Sequence, residues 1–281
     1  MTTLSAPFQW FGGKGILKSK LLPLIPGGGA PYCEPFAGAA SIFFARKPAP
    51  VEILNDLDGD IVNFFRVMQD AQQFRELRRR LLWTPYARDE FLRAVEALND
   101  PDAPAIDRAW AFFVGQNQGF AGKLAKNAKR ADWSVHIARK AAWPSLVKKL
   151  ELFRERLLGC QIDNDDAIRV ISRYDRDDAV FYVDPPYVIS TRKMRNYASE
   201  LDDAYHVALI DTLLNVRGSV VLSGYDHEIY HRLDDAGWVR TEFKVVSSVP
   251  NSARAFDGRP SRAEVVWRNP AAVARKLAES K

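Results

Sequence analysis

The chain has 281 residues, room for one large α/β domain or a core with an insert, and its 47% apolar and 27% charged content excludes collagen-like, coiled-coil and disordered classes. Its net charge of +5 says little about partners by itself, and Cys33 and Cys160 are too few for a disulfide framework or a thiolate zinc site. No apolar run approaches the ~18 residues of a membrane span and no signal-peptide core follows the first residues, so a cytoplasmic protein without membrane attachment is expected.

The chain opens with Phe8-Gln9-Trp10-Phe11-Gly12-Gly13-Lys14, whose paired glycines make a flexible turn able to carry a cation and a ring toward a carboxylate. Taken alone, it also reads as a loop with a surface lysine. Short β-branched or aromatic runs at 32–35, 51–55, 180–184 and 219–223 predict strands, and they alternate with helical patterns. That alternation predicts a mainly parallel sheet covered by helices, and runs at 238–246 and 263–268 predict an antiparallel pair that closes it. Ligands of such sheets lie beyond the carboxyl ends of the strands.

After the first strand, Glu34-Pro35-Phe36-Ala37-Gly38-Ala39-Ala40-Ser41 lets backbone approach a ligand and opens a helix. It is neither a Gly-x-Gly-x-x-Gly fingerprint nor a Walker loop. The second strand ends at Asn55-Asp56, with the acid 18 positions beyond Gly38, a spacing that suits ribose hydroxyls. Asp56 could instead cap a helix beginning near Leu57.

Between 67 and 158 the pattern is helical, with Phe74, Leu77 and Leu81, then Phe91, Val95 and Leu98, at helical spacing. This block predicts an insert that divides a core formed by 1–66 and 159–281. Within it, residues 121–150 carry Lys123, Lys126, Lys129, Arg130, Arg139, Lys140, Lys148 and Lys149 against Asp132 alone, so nearly all excess positive charge is local. The window reads as a polyanion-binding face or as a solvated helical surface.

The most informative string is Asp184-Pro185-Pro186-Tyr187 after the apolar Val180-Phe181-Tyr182-Val183. Two prolines force the chain out of the sheet and leave an acid, a carbonyl and an aromatic ring at its edge. Such a trio suits the exocyclic amine of a nucleobase: two acceptors draw its protons while the phenol ring stacks on the base. A strand-end turn without chemistry is the plain alternative.

Together these strings, with Asn117-Gln118-Gly119-Phe120-Ala121-Gly122-Lys123 in the insert and Arg262-Ala263-Glu264-Val265-Val266-Trp267 near the end, resemble the Dam-like class of N6-adenine DNA methyltransferases in identity and order. The resemblance covers essentially the whole chain. It implies a Rossmann-like S-adenosylmethionine-dependent methyltransferase sheet with helices on both faces, and an inserted helical target-recognition domain. It also implies methyl transfer to adenine in duplex DNA by base flipping. Trp10, Lys14, Phe36, Gly38, Asp56, Asp166 and Asp184 would hold the cofactor, with Asp184, Pro185, Pro186 and Tyr187 at the target amine. In the insert, Gln116, Asn117, Lys123, Lys126, Lys129, Arg130 and Arg139 would contact DNA, lysines on phosphates and polar groups on base edges.

The departure is Ala40, where the family usually has glycine; a positive φ there would compromise the cofactor loop. Neither cysteine follows proline as a cytosine-C5 nucleophile does, and the four histidines show no ligand spacing, so no metal is expected. Amine methylation of cytosine N4 or of RNA, and a catalytically silent DNA-binding homologue, remain the alternatives.

Overall fold

The computed structural model describes residues 4–10, 14, 15, 17–27, 29–119, 133, 134, 137–188, 201–244 and 263–280. Seven strands, β1 (Tyr32–Glu34), β2 (Glu52–Asn55), β3 (Cys160–Asp163), β4 (Val180–Val183), β5 (Ser219–Tyr225), β6 (Val239–Lys244) and β7 (Ala263–Arg268), form one sheet in the order β3-β2-β1-β4-β5-β7-β6. The first five are parallel; β7 lies antiparallel between β5 and β6. This is the Rossmann-like methyltransferase sheet with the antiparallel closure expected from sequence. Chain order reverses between β1 and β4, where Cys33 is level with both Ile53 and Phe181, the kind of switch point beside which open sheets take their ligands.

Alternation along the strands sorts side chains to two faces. Tyr32, Leu54, Val180 and Tyr182 enter one apolar cluster, and Cys33, Ile53, Phe181 and Val183 enter the other. The helices α1 (Lys18–Leu21), α2 (Ser41–Ala45), α3 (Gly59–Gln69), α4 (Ala71–Trp83), α5 (Arg88–Asn99), α6 (Ala105–Gln118), α7 (Ile137–Leu157) and α11 (Pro270–Ala278) belong with the first cluster. Across the sheet lie α8 (Ala167–Tyr174), α9 (Asp203–Leu214) and α10 (Glu228–Asp235). Both cysteines are buried strand residues whose thiols are pushed up by that burial, which makes them packing groups rather than nucleophiles.

The helical stretch between β2 and β3 is continuous with the sheet's own packing. Position 66/67, the expected boundary, falls inside α3, whose Phe64 stacks on Phe113 of α6 at 5.7 Å. Asp58 caps α3 by accepting Asp60 N–H, and Asp70 caps α4 by accepting the Gln72 and Gln73 N–H groups. No helix among the described residues is long and apolar enough to cross a membrane.

Candidate active site

The loop after β1 folds over the end of β2. Ala37 N–H donates to the Asn55 carbonyl (2.8 Å), and Gly38 N–H donates to Asp56 Oδ2 (2.8 Å). Gly38 has φ +49°, and a Cβ there would stand 2.7 Å from Trp10 Nε1, so only glycine lets the indole lie against the loop. Trp10 is held in turn by Phe8 and Phe112, with ring centroids 6.1 and 6.4 Å away. Phe36 is partly buried against the second apolar cluster. Ala40 does adopt a positive φ, +50°, at full burial just before α2, so the departure seen in sequence falls where a methyl group costs about 1–2 kcal/mol.

Asp56 also accepts Asp58 N–H (2.9 Å), and burial pushes its carboxyl up to about 6 despite these backbone donors. The cap of α3 is Asp58, so Asp56 does not serve that helix. Asn55 ties the floor together: its amide donates to the Pro35 and Asp165 carbonyls and its oxygen accepts Asp165 N–H, each at 2.9 Å. Asp166, from the turn after β3, caps α8 with one oxygen and accepts the Tyr205 hydroxyl with the other at 2.7 Å.

Lys14 comes from the amino terminus to the end of β4. The residue is 4% exposed, and its ammonium lies 3.0 Å from Asp184 Oδ1 and 2.7 Å from Glu264 Oε1. Burial opposes its charge, but the two carboxylates outweigh burial and hold it above the ordinary lysine range. Burial pushes Asp184 up to about 6, a rise that Lys14 limits and Glu264 promotes. Glu264, 3% exposed at the start of β7, also accepts the Tyr187 hydroxyl (2.9 Å) and the Ser223 hydroxyl (2.6 Å). Lys14 donates to the Tyr187 oxygen as well, and the Tyr187 ring stacks on Tyr225 at 3.9 Å and 22°. Burial, then Asp184 and Glu264, raise the Tyr187 phenol well above its usual range, so it remains a donor.

The structure thus gathers Trp10, Lys14, Gly38, Asp56 and Asp184 at the carboxyl edge of β1, β2 and β4. Two participants are not singled out by sequence reasoning. Glu264 reads there only as part of a terminal strand, although an acid beside Val265-Val266-Trp267 is a signal that could mark it. Tyr225 gives no signal beyond lying past a strand. In α6, Gln116 and Asn117 are 2% and 6% exposed, and the Asn117 amide donates to the Phe113 carbonyl, so base contacts by either would need that helix end to open. Lys123, Lys126, Lys129 and Arg130 lie outside the described residues, and Arg139 falls in α7 with its side chain outside them. Among the described residues, no group of three or more His, Cys, Asp or Glu is placed to hold a metal ion.

The chain is similar in sequence to known methyltransferases. The chain is 24% identical over 235 residues to a DNA N-6-adenine-methyltransferase of Escherichia phage P1, a match covering 80% of this chain and 31% of that protein. It is 26% identical over 200 residues to the Type II methyltransferase M1.LlaDCHI of Lactococcus lactis subsp. cremoris, covering 65% of this chain and 66% of that protein. The chain therefore spans about a third of the length of the first relative and about two thirds of the second. The family described as D12 class N6 adenine-specific DNA methyltransferase matches residues 10–246, and with that span the chain belongs to this family of enzymes.

Proposed function

We propose that the protein transfers the methyl group of S-adenosylmethionine to N6 of adenine in duplex DNA. The observation that carries this reading is the Asp184 carboxylate, held 3.0 Å from a buried ammonium at the end of β4 and followed by two prolines. Pro186 has no N–H, so the turn offers the Pro185 carbonyl beside the carboxylate without an adjacent competing donor. Two acceptors so placed draw the amine protons and favour a tetrahedral, nucleophilic nitrogen. Lys14 fixes the orientation of Asp184. With a carboxyl pushed up to about 6, Asp184 is also basic enough to take the proton that the methylated nitrogen sheds.

The residues present fit the proposed donor. Gly38 admits Trp10 where any Cβ would block it, and among the described residues Asp56 accepts from backbone N–H groups alone, leaving capacity for ribose hydroxyls. Trp10, Phe36, Gly38, Asp56, Asp166 and Asp184 would hold the donor, with Lys14 anchoring the last. When bound, the donor supplies a sulfonium-activated methyl group. For the target base, Tyr187 must exchange its stacking partner Tyr225 for adenine, recovering part of the few kcal/mol that flipping a base from the duplex costs. Residues 67–158 would form the recognition insert, with Lys123, Lys126, Lys129, Arg130 and Arg139 on the DNA backbone.

The test offers labelled donor with duplex DNA, single-stranded RNA and an unrelated protein. Label in duplex DNA alone is expected. Label chiefly in RNA or protein would overturn the substrate assignment, and no binding of the donor in the absence of DNA would leave a silent DNA-binding homologue.

A further inference from the structure

The buried cluster at the end of β4 is not charge-balanced. Two carboxylates, Asp184 and Glu264, face one ammonium, and among the described residues Lys14 is the one cation within ion-pair distance of either. Nearby Glu34 is held toward its neutral form, because burial, eased by the Tyr32 hydroxyl, pushes its carboxyl up to about 8. Asp56, in the same crevice, adds a further negative group. A surplus buried anion is costly unless a cation arrives to offset it. Glu264 already spends its oxygens on Lys14, Tyr187 and Ser223, so its charge acts on the crevice without a free lone pair having to touch the ligand.

We infer that Glu264 is a specificity-determining residue that supplies the negative surplus by which the crevice prefers a sulfonium donor to its neutral thioether product. The inference rests on the donor assignment made above. The two molecules differ at sulphur by one methyl group and one positive charge, so a residue that acts through charge must change their affinity ratio. One that merely braces Lys14 and Tyr187 must scale both affinities alike. With Glu264 in place, each turnover removes the charge that holds the ligand, and product release is favoured.

The experiment is calorimetric titration of S-adenosylmethionine and S-adenosylhomocysteine into the full chain and its Glu264→Gln and Glu264→Asp variants, without DNA. Glu264→Gln keeps an acceptor oxygen for Lys14 and Ser223 but removes the charge. It should lower the methionine-to-homocysteine affinity ratio at least tenfold, about 1.4 kcal/mol. Glu264→Asp keeps the charge and should preserve the ratio within threefold even where both affinities fall. An unchanged ratio in Glu264→Gln, or an equal loss of ratio in Glu264→Asp, overturns the role given to the charge. Failure of the unaltered protein to bind either molecule overturns the donor assignment itself, and the inference with it.

Discussion

Replacing Lys14 by methionine keeps the unbranched stem one atom short of the nitrogen and strips the charge from between Asp184 and Glu264, which stand 3.0 and 2.7 Å from that nitrogen. At an effective dielectric of about 20, one ion pair at 3 Å is worth about 5 kcal/mol before desolvation is counted. Measured losses on breaking buried pairs run about 3–5 kcal/mol. Methionine is not hydrated, so part of the desolvation cost returns, while the two carboxylates then repel each other at close range. A net loss of about 3–5 kcal/mol near pH 7 is expected, lowering Tm by roughly 5–15 °C. The sign of the pH dependence follows from the carboxylates. Without Lys14 the Asp184 carboxyl, already pushed up to about 6, rises further above its unfolded value, so the deficit should shrink as the pH falls from above neutral toward 6 and level off below it. Denaturant melts at pH 7.5 and pH 5 test this, and the Lys14→Met, Glu264→Gln double variant should lose less than the two single losses together. A deficit under about 1 kcal/mol, or one that does not change with pH, would refute the buried charge cluster.

Further outcomes follow from the same geometry. Asp56 is pushed up to about 6 from an unfolded value of about 3.9, so it contributes stability below pH 4 that is lost as pH rises toward 6, up to about 3 kcal/mol. Asp56→Asn puts an amide nitrogen where one oxygen accepts a backbone N–H, so it should cost stability at pH 4, with that deficit shrinking or reversing by up to about 3 kcal/mol at pH 7, while weakening donor binding. Gly38→Ala combines a left-handed backbone with a Cβ 2.7 Å from Trp10, and calorimetry should show donor binding abolished, with a stability loss of about 2 kcal/mol or more. Ala40→Gly relieves a similar backbone cost but frees the unfolded chain and removes a buried methyl, so denaturant melts should place it within about 1 kcal/mol of the original. Duplex affinity measured against salt should fall steeply, and replacing Lys123, Lys126 and Lys129 by alanine should flatten the log–log slope by about 0.9 for each phosphate no longer neutralised.

Strands with a β-branched or aromatic run are legible in the sequence, because burial on both faces requires such a run. β3 is not: Cys160-Gln161-Ile162-Asp163 lies at the sheet edge with Ile162 and Asp163 half-exposed, so no apolar run announces it. β5 runs on to Tyr225 rather than ending at 223, and that extension carries the ring that stacks on Tyr187. Asp184 and Lys14 are identifiable separately from the residues around each; their meeting across the chain is a tertiary fact. Glu264 is 250 positions from Lys14, and no local spacing reports such a pair. Gly38 announces its backbone requirement through its residue type, whereas Ala40 conceals the same requirement behind a side chain that tolerates it only at a cost.

The most direct test digests duplex DNA after incubation with the protein and labelled donor and identifies the methylated nucleoside by mass spectrometry, beside the Asp184→Ala variant. N6-methyladenine as the labelled product, absent with the variant, is the expected result. Label on cytosine, or undiminished N6-methyladenine with Asp184→Ala, would contradict the assignment of the β4 turn as the place where the amine is activated.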